Sequence, residues 1–372
     1  MKLRVDRAAL LKALSHIQSV VERRNTIPIL SNVLLDATDG QLKLSATDMD
    51  VEIVGSINAD IEESGATTAP AHMLYDIIRK LPDDRPVELE KQASSPQLQV
   101  KSGRSNFKIG ALPVEDFPQL SAGELPTSFT LPTLTLKQIF DRVKFAVSTE
   151  ETRYYLNGIY LHVPTLSSGA VLRAVATDGH RLARVDVALP EGAANMPGVI
   201  IPRKTIAEVR KLMDEGDEQV TVSLSGNKVR FSIGAVVLTS KLIDGTFPDY
   251  ERVIPTGNNR VMEVDSKIFA SVVDRVSTIS TEKTRAVKLA LHEGGITVSA
   301  HSAEAGSAVE EIEASYTDAP MEIGFNSRYL LDIAAQLDGG GCRFSMSDSG
   351  SPTVIGAAND ESALYVLMPM RV

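Results

Sequence analysis

The apolar residues of this chain recur in three matching sets. Leu10, Leu14 and Ile17, then Leu136, Phe140 and Val143, then Phe269, Val273 and Val276 all follow the spacing i, i+4, i+7. That spacing lays one stripe of a helix on a core, so it predicts three amphipathic helices. Each set follows a short run ending in an apolar residue, at Val5, Leu131 and Val264. A second helix recurs in each copy, through Leu74, Ile77 and Leu81, through Ile206, Val209 and Met213, and through Leu330, Ile333 and Leu337. Between the two helices an alternating run recurs as LKLSATD (42–48), LRAVATD (172–178) and, more loosely, ITVSAHS (296–302). Phe117-Pro118 and Phe247-Pro248 punctuate the ends of the first two copies. A period near 125 residues is too long for a solenoid and is the size of a domain. The pattern predicts three similar domains, over 1–125, 126–254 and 255–372.

Within each copy the strands outnumber the helices and are joined by turns. Asn32–Ile57 reads as a hairpin turning at Asp39-Gly40, and Val220–Gly234 as another turning at Gly226-Asn227. VELEK, LQVKSG and FKIGAL are further short strands of the first copy. The expected class is α+β, with two helices per domain packed on antiparallel sheets. The linkers are expected at SAGELPTS (121–128) and IPTGNN (254–259).

An apolar fraction of 43% and a charged fraction of 23% are those of a soluble globular protein. The one cysteine, Cys342, excludes an intrachain disulfide, suits a reducing cytoplasm and reads as a buried thiol. The opening MKLRVDRAALLKAL lacks the apolar core of a signal peptide, and no run is long enough to span a membrane. A net charge of −10 argues against nucleic acid at first sight. Its distribution argues the other way. Across the six helix windows 6–24, 71–80, 136–147, 203–213, 265–276 and 326–337 there are 16 Lys and Arg against 8 Asp and Glu, a net of +8, which leaves −18 for the rest of the chain. The bias is uneven, for the two helices of the third copy are neutral. Helices sharing one surface would make that surface positive on an acidic protein.

No nucleotide-binding, nucleophile-elbow, zincin or Cys-x-x-Cys motif is present. The six histidines lack metal-ligand spacing, and neither a metal nor a cofactor is expected. TDGHRL (177–182) alone could do acid–base work, through Asp178, His180 and Arg181, in a hydrolase or transferase. The bland alternative is a turn. Asp178-Gly179 is a turn signal, and the matching Thr47-Asp48-Met49-Asp50 of the first copy lacks the histidine. Arg153-Tyr154-Tyr155 sets two aromatics beside a cation. On a strand they would face opposite sides, exposing one. The apolar ending LYVLMPMRV reads as a core strand or as part of a groove, for which Met368 and Met370 are suited.

The threefold repeat, RYYLNG (153–158), ATDGHRLA (176–183), SKLIDGTFPDYERV (240–253), MEIGFNSRYLLD (321–332) and VLMPMRV (366–372) together resemble the bacterial DNA polymerase III beta subunits, the sliding clamps, over the whole chain. The resemblance implies a DNA-clamp fold of three similar domains and a head-to-tail homodimeric ring, helices lining the hole. It implies a non-catalytic processivity factor that encircles double-stranded DNA without reading its sequence. A peptide scaffold that never encircles DNA is the remaining alternative, distinguished by lacking salt-dependent DNA binding. The implied partners bind by short linear motifs: the replicative polymerase alpha subunit, clamp-loader subunits, translesion polymerases, mismatch-repair proteins and ligase. The implied location is the cytoplasm, at replication forks on the nucleoid.

Position by position, the resemblance implies a pocket for partner peptides lined by Leu156, Thr177, Gly179, His180, Arg181, Leu182, Pro248, Val253, Val366 and Met368. An adjoining part would use Arg153, Tyr154, Arg252, Asn326, Tyr329, Pro369, Met370 and Arg371. An apolar trough with a few cations and amides suits an extended peptide carrying a glutamine and bulky apolar anchors. Arg24 and Lys204 match positions that meet DNA. Where a second loop of the family can carry glutamine, this chain has Glu150 beside Glu151, which would repel a phosphate unless they face away. At the subunit seam Phe107 and Ile109 would meet Ile279 and Thr278, the last a position that can be more apolar.

Overall fold

The computed structural model describes residues 1–120, 123–167, 169–213, 219–280, 285–337 and 340–371. Six α-helices form among them: α1 (Arg7–Ile17), α2 (Ala71–Lys80), α3 (Thr133–Lys144), α4 (Arg203–Leu212), α5 (Ser266–Ser277) and α6 (Ser327–Ala334). These are the recurring helix pairs of the sequence. The Leu10, Leu136 and Phe269 stripes are buried along their whole length. Each such side chain removed from water contributes about 1.5–3 kcal/mol. One position differs. In α2 the core residue beside Leu74 is Ile78, and Ile77 is only half-buried. Capping sets the starts of several helices: Asp6 accepts from the Ala9 amide at 2.8 Å, and Asp265 accepts from the Lys267 and Ile268 amides at 2.9 Å.

Contacts divide the chain into two compact units, each described by itself. The first comprises Met1–Lys137, Pro190–Pro197 and Lys204–Leu242. Its eight-stranded antiparallel sheet runs Thr127–Pro132, Gln219–Leu224, Lys228–Ile233, Val236–Lys241, Val51–Asn58, Gln41–Thr47, Asn32–Thr38, Gly65–Pro70. The join between Val236–Lys241 and Val51–Asn58 carries one ladder from the second copy into the first, with Leu238 opposite Ile53. A five-stranded sheet runs Asp60–Glu63, Lys2–Val5, Val87–Glu90, Gln97–Ser102, Ser105–Gly110. The Asp39-Gly40 hairpin turn forms as expected, with φ of 51° and 75°.

The second unit comprises Gln138–Leu189, Gly198–Arg203 and Ile243–Val372. Its nine-stranded sheet runs Val199–Pro202, Gly158–His162, Gly169–Thr177, Arg181–Ala188, Asp360–Leu367, Thr353–Ala357, Gly341–Met346, Arg260–Asp265, with Thr165–Leu166 paired beside Gly169–Thr177. Here the join lies between Arg181–Ala188 and Asp360–Leu367, so the second copy shares a ladder with the third, Leu182 opposite Val366. A four-stranded sheet runs Gly306–Glu313, Gly295–Ser302, Ala286–His292, Met321–Asn326. The C-terminal run is both things its sequence allowed: a core strand to Leu367, then an extension whose Met370 amide donates to the Gly324 carbonyl at 2.8 Å. Cys342 is buried, and burial pushes its thiol up to about 12, so it packs as a small apolar residue.

Candidate peptide-binding pocket

The hairpin turn from Thr177 to Arg181 is locked by its own side chains. The Thr177 hydroxyl donates to the Arg181 carbonyl at 2.8 Å and accepts from the Gly179 amide at 3.1 Å. Asp178 Oδ1 accepts from the His180 and Arg181 amides at 2.9 and 3.0 Å. Gly179 has φ of 88°, and a Cβ there would lie 2.6 Å from an Arg153 nitrogen, so only glycine fits without displacement. The first copy builds the same turn. Thr47 donates to the Val51 carbonyl, Asp48 accepts from the Asp50 and Val51 amides, and Met49 takes φ of 77°. Asp178 thus serves a backbone turn, as Asp48 does in the first copy.

Around the second-copy turn the surface opens into a cavity of about 310 Å³. It is lined by Leu156, Thr177, Gly179, His180, Arg181, Leu182, Pro248, Val253, Val366 and Met368, together with Asp249 and Tyr250. The ten residues expected there therefore come together, drawn from the hairpin of strands Gly169–Thr177 and Arg181–Ala188, the 3₁₀ turns Glu151–Leu156 and Tyr250–Val253 with Pro248 just ahead of the latter, and the terminal strand with Met368 just past its end. Leu156, Leu182, Tyr250 and Val366 belong to one buried apolar cluster with Phe247 and Ile200, so the cavity floor is part of the core. Val253, Met368 and Tyr154 remain exposed at 54, 43 and 53%, unusual for large apolar side chains.

The adjoining residues are less alike in place. Arg181, its side chain 9% exposed, is held at three points: Asp178 at 3.1 Å, Asp332 at 2.5 Å and the Phe145 carbonyl at 2.6 Å. Its guanidinium also lies 4.2 Å above the Tyr329 ring, which stacks near His180. Arg181 shapes the wall rather than offering an open charge. Asn326 caps α6, accepting from the Arg328 and Tyr329 amides. Arg252 is exposed and paired with Asp249 at 2.6 Å. Pro369, Met370 and Arg371 line a different depression, with Glu322, Ile323, Gly324, Ser349 and Gly350. Tyr154 and Tyr155 sit on a 3₁₀ turn, Glu151–Leu156, not on the strand their alternation suggested, yet one of them is exposed as expected. Val372 lies outside the described residues.

Beneath the wall is a network that sequence reasoning missed. Arg173, 2% exposed, donates to both Asp186 oxygens at 2.6 and 2.8 Å. Its remaining nitrogen reaches the Tyr250 hydroxyl at 3.1 Å and Glu251 at 3.0 Å. Burial opposes the Arg173 charge, but the bonds to Asp186 and Tyr250 outweigh it and raise its pKa. His162 contacts the same hydroxyl at 3.0 Å, and burial beside Arg173 lowers its pKa to about 4. A cation inside the otherwise apolar run Leu172–Ala176 is the available signal.

Three domain families of the DNA polymerase III beta subunit match in chain order: the N-terminal domain over 1–121, the central domain over 130–249 and the C-terminal domain over 251–371. The chain belongs to the DNA polymerase III beta subunit family. The beta sliding clamp of Caulobacter vibrioides is 53% identical over 100% of both chains. A crystal structure of the C. crescentus beta sliding clamp has a TM-score of 0.98 at 53% identity, covering 100% of this chain and 99% of that one. A Bartonella birtlesii sliding clamp bound to griselimycin has a TM-score of 0.97 at 50% identity, covering 100% of each. The chain accordingly has the three-domain clamp fold and the function of its family, a processivity factor of DNA polymerase III that is not itself a catalyst.

The other residues implied by the family stand as follows. Arg24 is exposed in the loop after α1. Lys204, on α4, is held by Asp48 at 2.5 Å and Glu22 at 3.0 Å, and these bonds raise its pKa against the cost of burial. Glu150 is paired with Arg153 at 2.7 Å, which lowers its pKa, so its charge is balanced at the rim of the pocket. Phe107 is exposed on the edge strand Ser105–Gly110, while Ile109, two residues along the same strand, is buried. Thr278 is exposed just past α5, and Ile279 is half-buried. Among the described residues no cluster of His, Cys, Asp and Glu could hold a metal ion, and no helix is long and apolar enough to cross a membrane.

Proposed function

We propose that two copies of the chain close head to tail into a ring around duplex DNA and that the cavity at the Thr177–Arg181 turn docks its protein partners. The observation that carries the docking role is the cavity itself: an apolar floor continuous with the core, rimmed by exposed Val253 and Met368 and by fixed polar groups. An extended peptide with a glutamine and bulky apolar anchors suits it. The partners are the polymerase alpha subunit, clamp-loader subunits, translesion polymerases, mismatch-repair proteins and ligase, competing for one pocket per chain. The adjoining residues Arg153, Tyr154, Arg252, Asn326, Tyr329, Pro369, Met370 and Arg371 extend the contact. The domains run 1–125, 126–254 and 255–372, and the protein works in the cytoplasm at replication forks.

Ring closure is supported by two sheet edges. The strand Ser105–Gly110, with Lys108 and Phe107, ends the five-stranded sheet, and Gly306–Glu313, with Glu310, Glu311 and exposed Val309, ends the four-stranded one. Opposite charges on two open edges favour a heterologous joint between chains, which forms a ring if the rotation closes. Phe107, Ile109, Thr278 and Ile279 lie at this seam. Arg24 and Lys204 meet phosphates, contacts that are indifferent to sequence and sensitive to salt.

The test is retention on nicked circular DNA, loaded by the cognate clamp loader with ATP and then linearised. A topological ring stays on the circle and leaves the linear form. Retention on both forms would refute encirclement. Deleting Met368–Val372 should abolish polymerase stimulation while leaving the dimer, and full stimulation would refute the pocket.

A further inference from the structure

The face of the nine-stranded sheet that forms the pocket floor continues into a second depression of about 330 Å³. The residues opposite one another across four strands trace the continuity: Leu182 faces Val366, Val366 faces Val354, and Val354 faces Ser345. Leu182 and Val366 line the pocket, while Val354 and Ser345 line the second depression. Arg184 also lines it, two residues beyond Leu182 and therefore on the same face of its strand.

The charges there are unevenly matched. Four charged residues line it: Arg184, Arg343, Asp360 and the exposed Glu361. Arg343 is paired with Glu263 at 2.7 Å, and Asp360 with Arg142 at 3.1 Å. Both oxygens of Asp186, the nearest carboxylate along the strand, are taken by Arg173. Among the described residues no carboxylate reaches ion-pair distance of Arg184, and its half-buried side chain keeps a buried Nε without a hydrogen-bond partner. A guanidinium in that state carries the desolvation cost of a charge without its compensation, and a carboxylate is its best-matched ligand. Burial, with Arg173 alongside, holds the Arg184 pKa below its ordinary value, which a counter-charge would relieve.

We propose that this depression extends the partner pocket and that Arg184 receives a carboxylate from an acidic stretch flanking the pocket-binding segment of a partner protein. The inference rests on the pocket reading above. The occupant is a protein segment rather than a free ion, because the apolar row leads into the depression directly from the pocket.

The probe is a synthetic peptide with a glutamine-and-leucine core, flanked on either side by three Glu or by three Gln, titrated by fluorescence polarisation. In low salt one Glu-flanked peptide should bind the full-length protein roughly tenfold more tightly than its Gln counterpart, a preference that shrinks as salt rises. Arg184→Gln should abolish that preference and leave the Gln-flanked affinity unchanged, whereas Arg184→Lys should keep part of it. Equal binding of Glu and Gln peptides by the unaltered protein overturns the inference with no variant needed. So does a preference that survives Arg184→Gln. Failure of the core peptide to bind at all would instead overturn the pocket reading, and the inference with it.

Discussion

Arg173→Met tests whether the buried ionic network holds the pocket wall. The substitution keeps an unbranched apolar stem, shorter by the end of the guanidinium, and removes four hydrogen bonds. Their loss is unequal. Glu251 is 61% exposed and regains water at once, so its share is at most about 1 kcal/mol. The Tyr250 hydroxyl keeps His162 at 3.0 Å. Asp186 is only 17% exposed and loses both donors, leaving a largely desolvated carboxylate alone. Breaking such a pair from one side costs about 3–5 kcal/mol. Urea unfolding followed by far-ultraviolet dichroism measures it, with the slope checked for change because the chain has more than one compact unit. The double variant Arg173→Met, Asp186→Leu should recover most of the loss, since it leaves no unpaired charge. Peptide affinity should fall in the single variant, because Tyr250 lines the cavity. A single-variant loss below about 1 kcal/mol, or a double variant no more stable than the single, would refute the account.

Two further outcomes follow from pairs described above. His162 has a folded pKa near 4 against an ordinary 6.5, so unfolding takes up a proton between those values; its contribution is full above pH 6.5 and is lost as pH falls toward 4, by about 2–3 kcal/mol, and His162→Gln should flatten that part of a stability–pH curve. Glu22→Gln frees Lys204 from one of its two carboxylates and should tighten low-salt DNA binding by roughly two- to fivefold, while Lys204→Gln should weaken it and reduce the salt slope by about 0.9 per chain.

The helices were legible because their burial is local: a stripe at i, i+4, i+7 records one face, and nine of nine such positions in the first helices are buried. The α2 stripe slipped by one because Ile77 and Ile78 are both apolar and only packing chooses between them. The joins between copies were not legible. Leu238 opposite Ile53 lies 185 residues away in sequence, and strand pairing at that range leaves no periodic trace. The pocket turn was visible in Thr177, Asp178 and Gly179 because a left-handed residue demands its chemistry locally. Tyr250 and Asp249 lie inside the SKLIDGTFPDYERV run, but their place in the cavity lining depends on long-range packing, such as the Arg173 bond to the Tyr250 hydroxyl, which leaves no local trace in the sequence.

The duplicated turn has a consequence for valency. The first-copy turn matches the second down to its closing bond, Lys241 amide to Asp50 carbonyl at 2.8 Å against Met368 amide to His180 carbonyl at 3.0 Å. Its side chains do not match: Glu52 stands where the pocket has Leu182, Thr239 where it has Val366, and Lys241, ion-paired with Asp50, where it has Met368. Among the described residues the backbone frame of the proposed docking site is thus built in both the first and second copies, but only the second-copy turn has an apolar floor. In the proposed ring, like units would surround DNA six times over yet offer two berths, so two partners could share one ring and a third could board only after another had left.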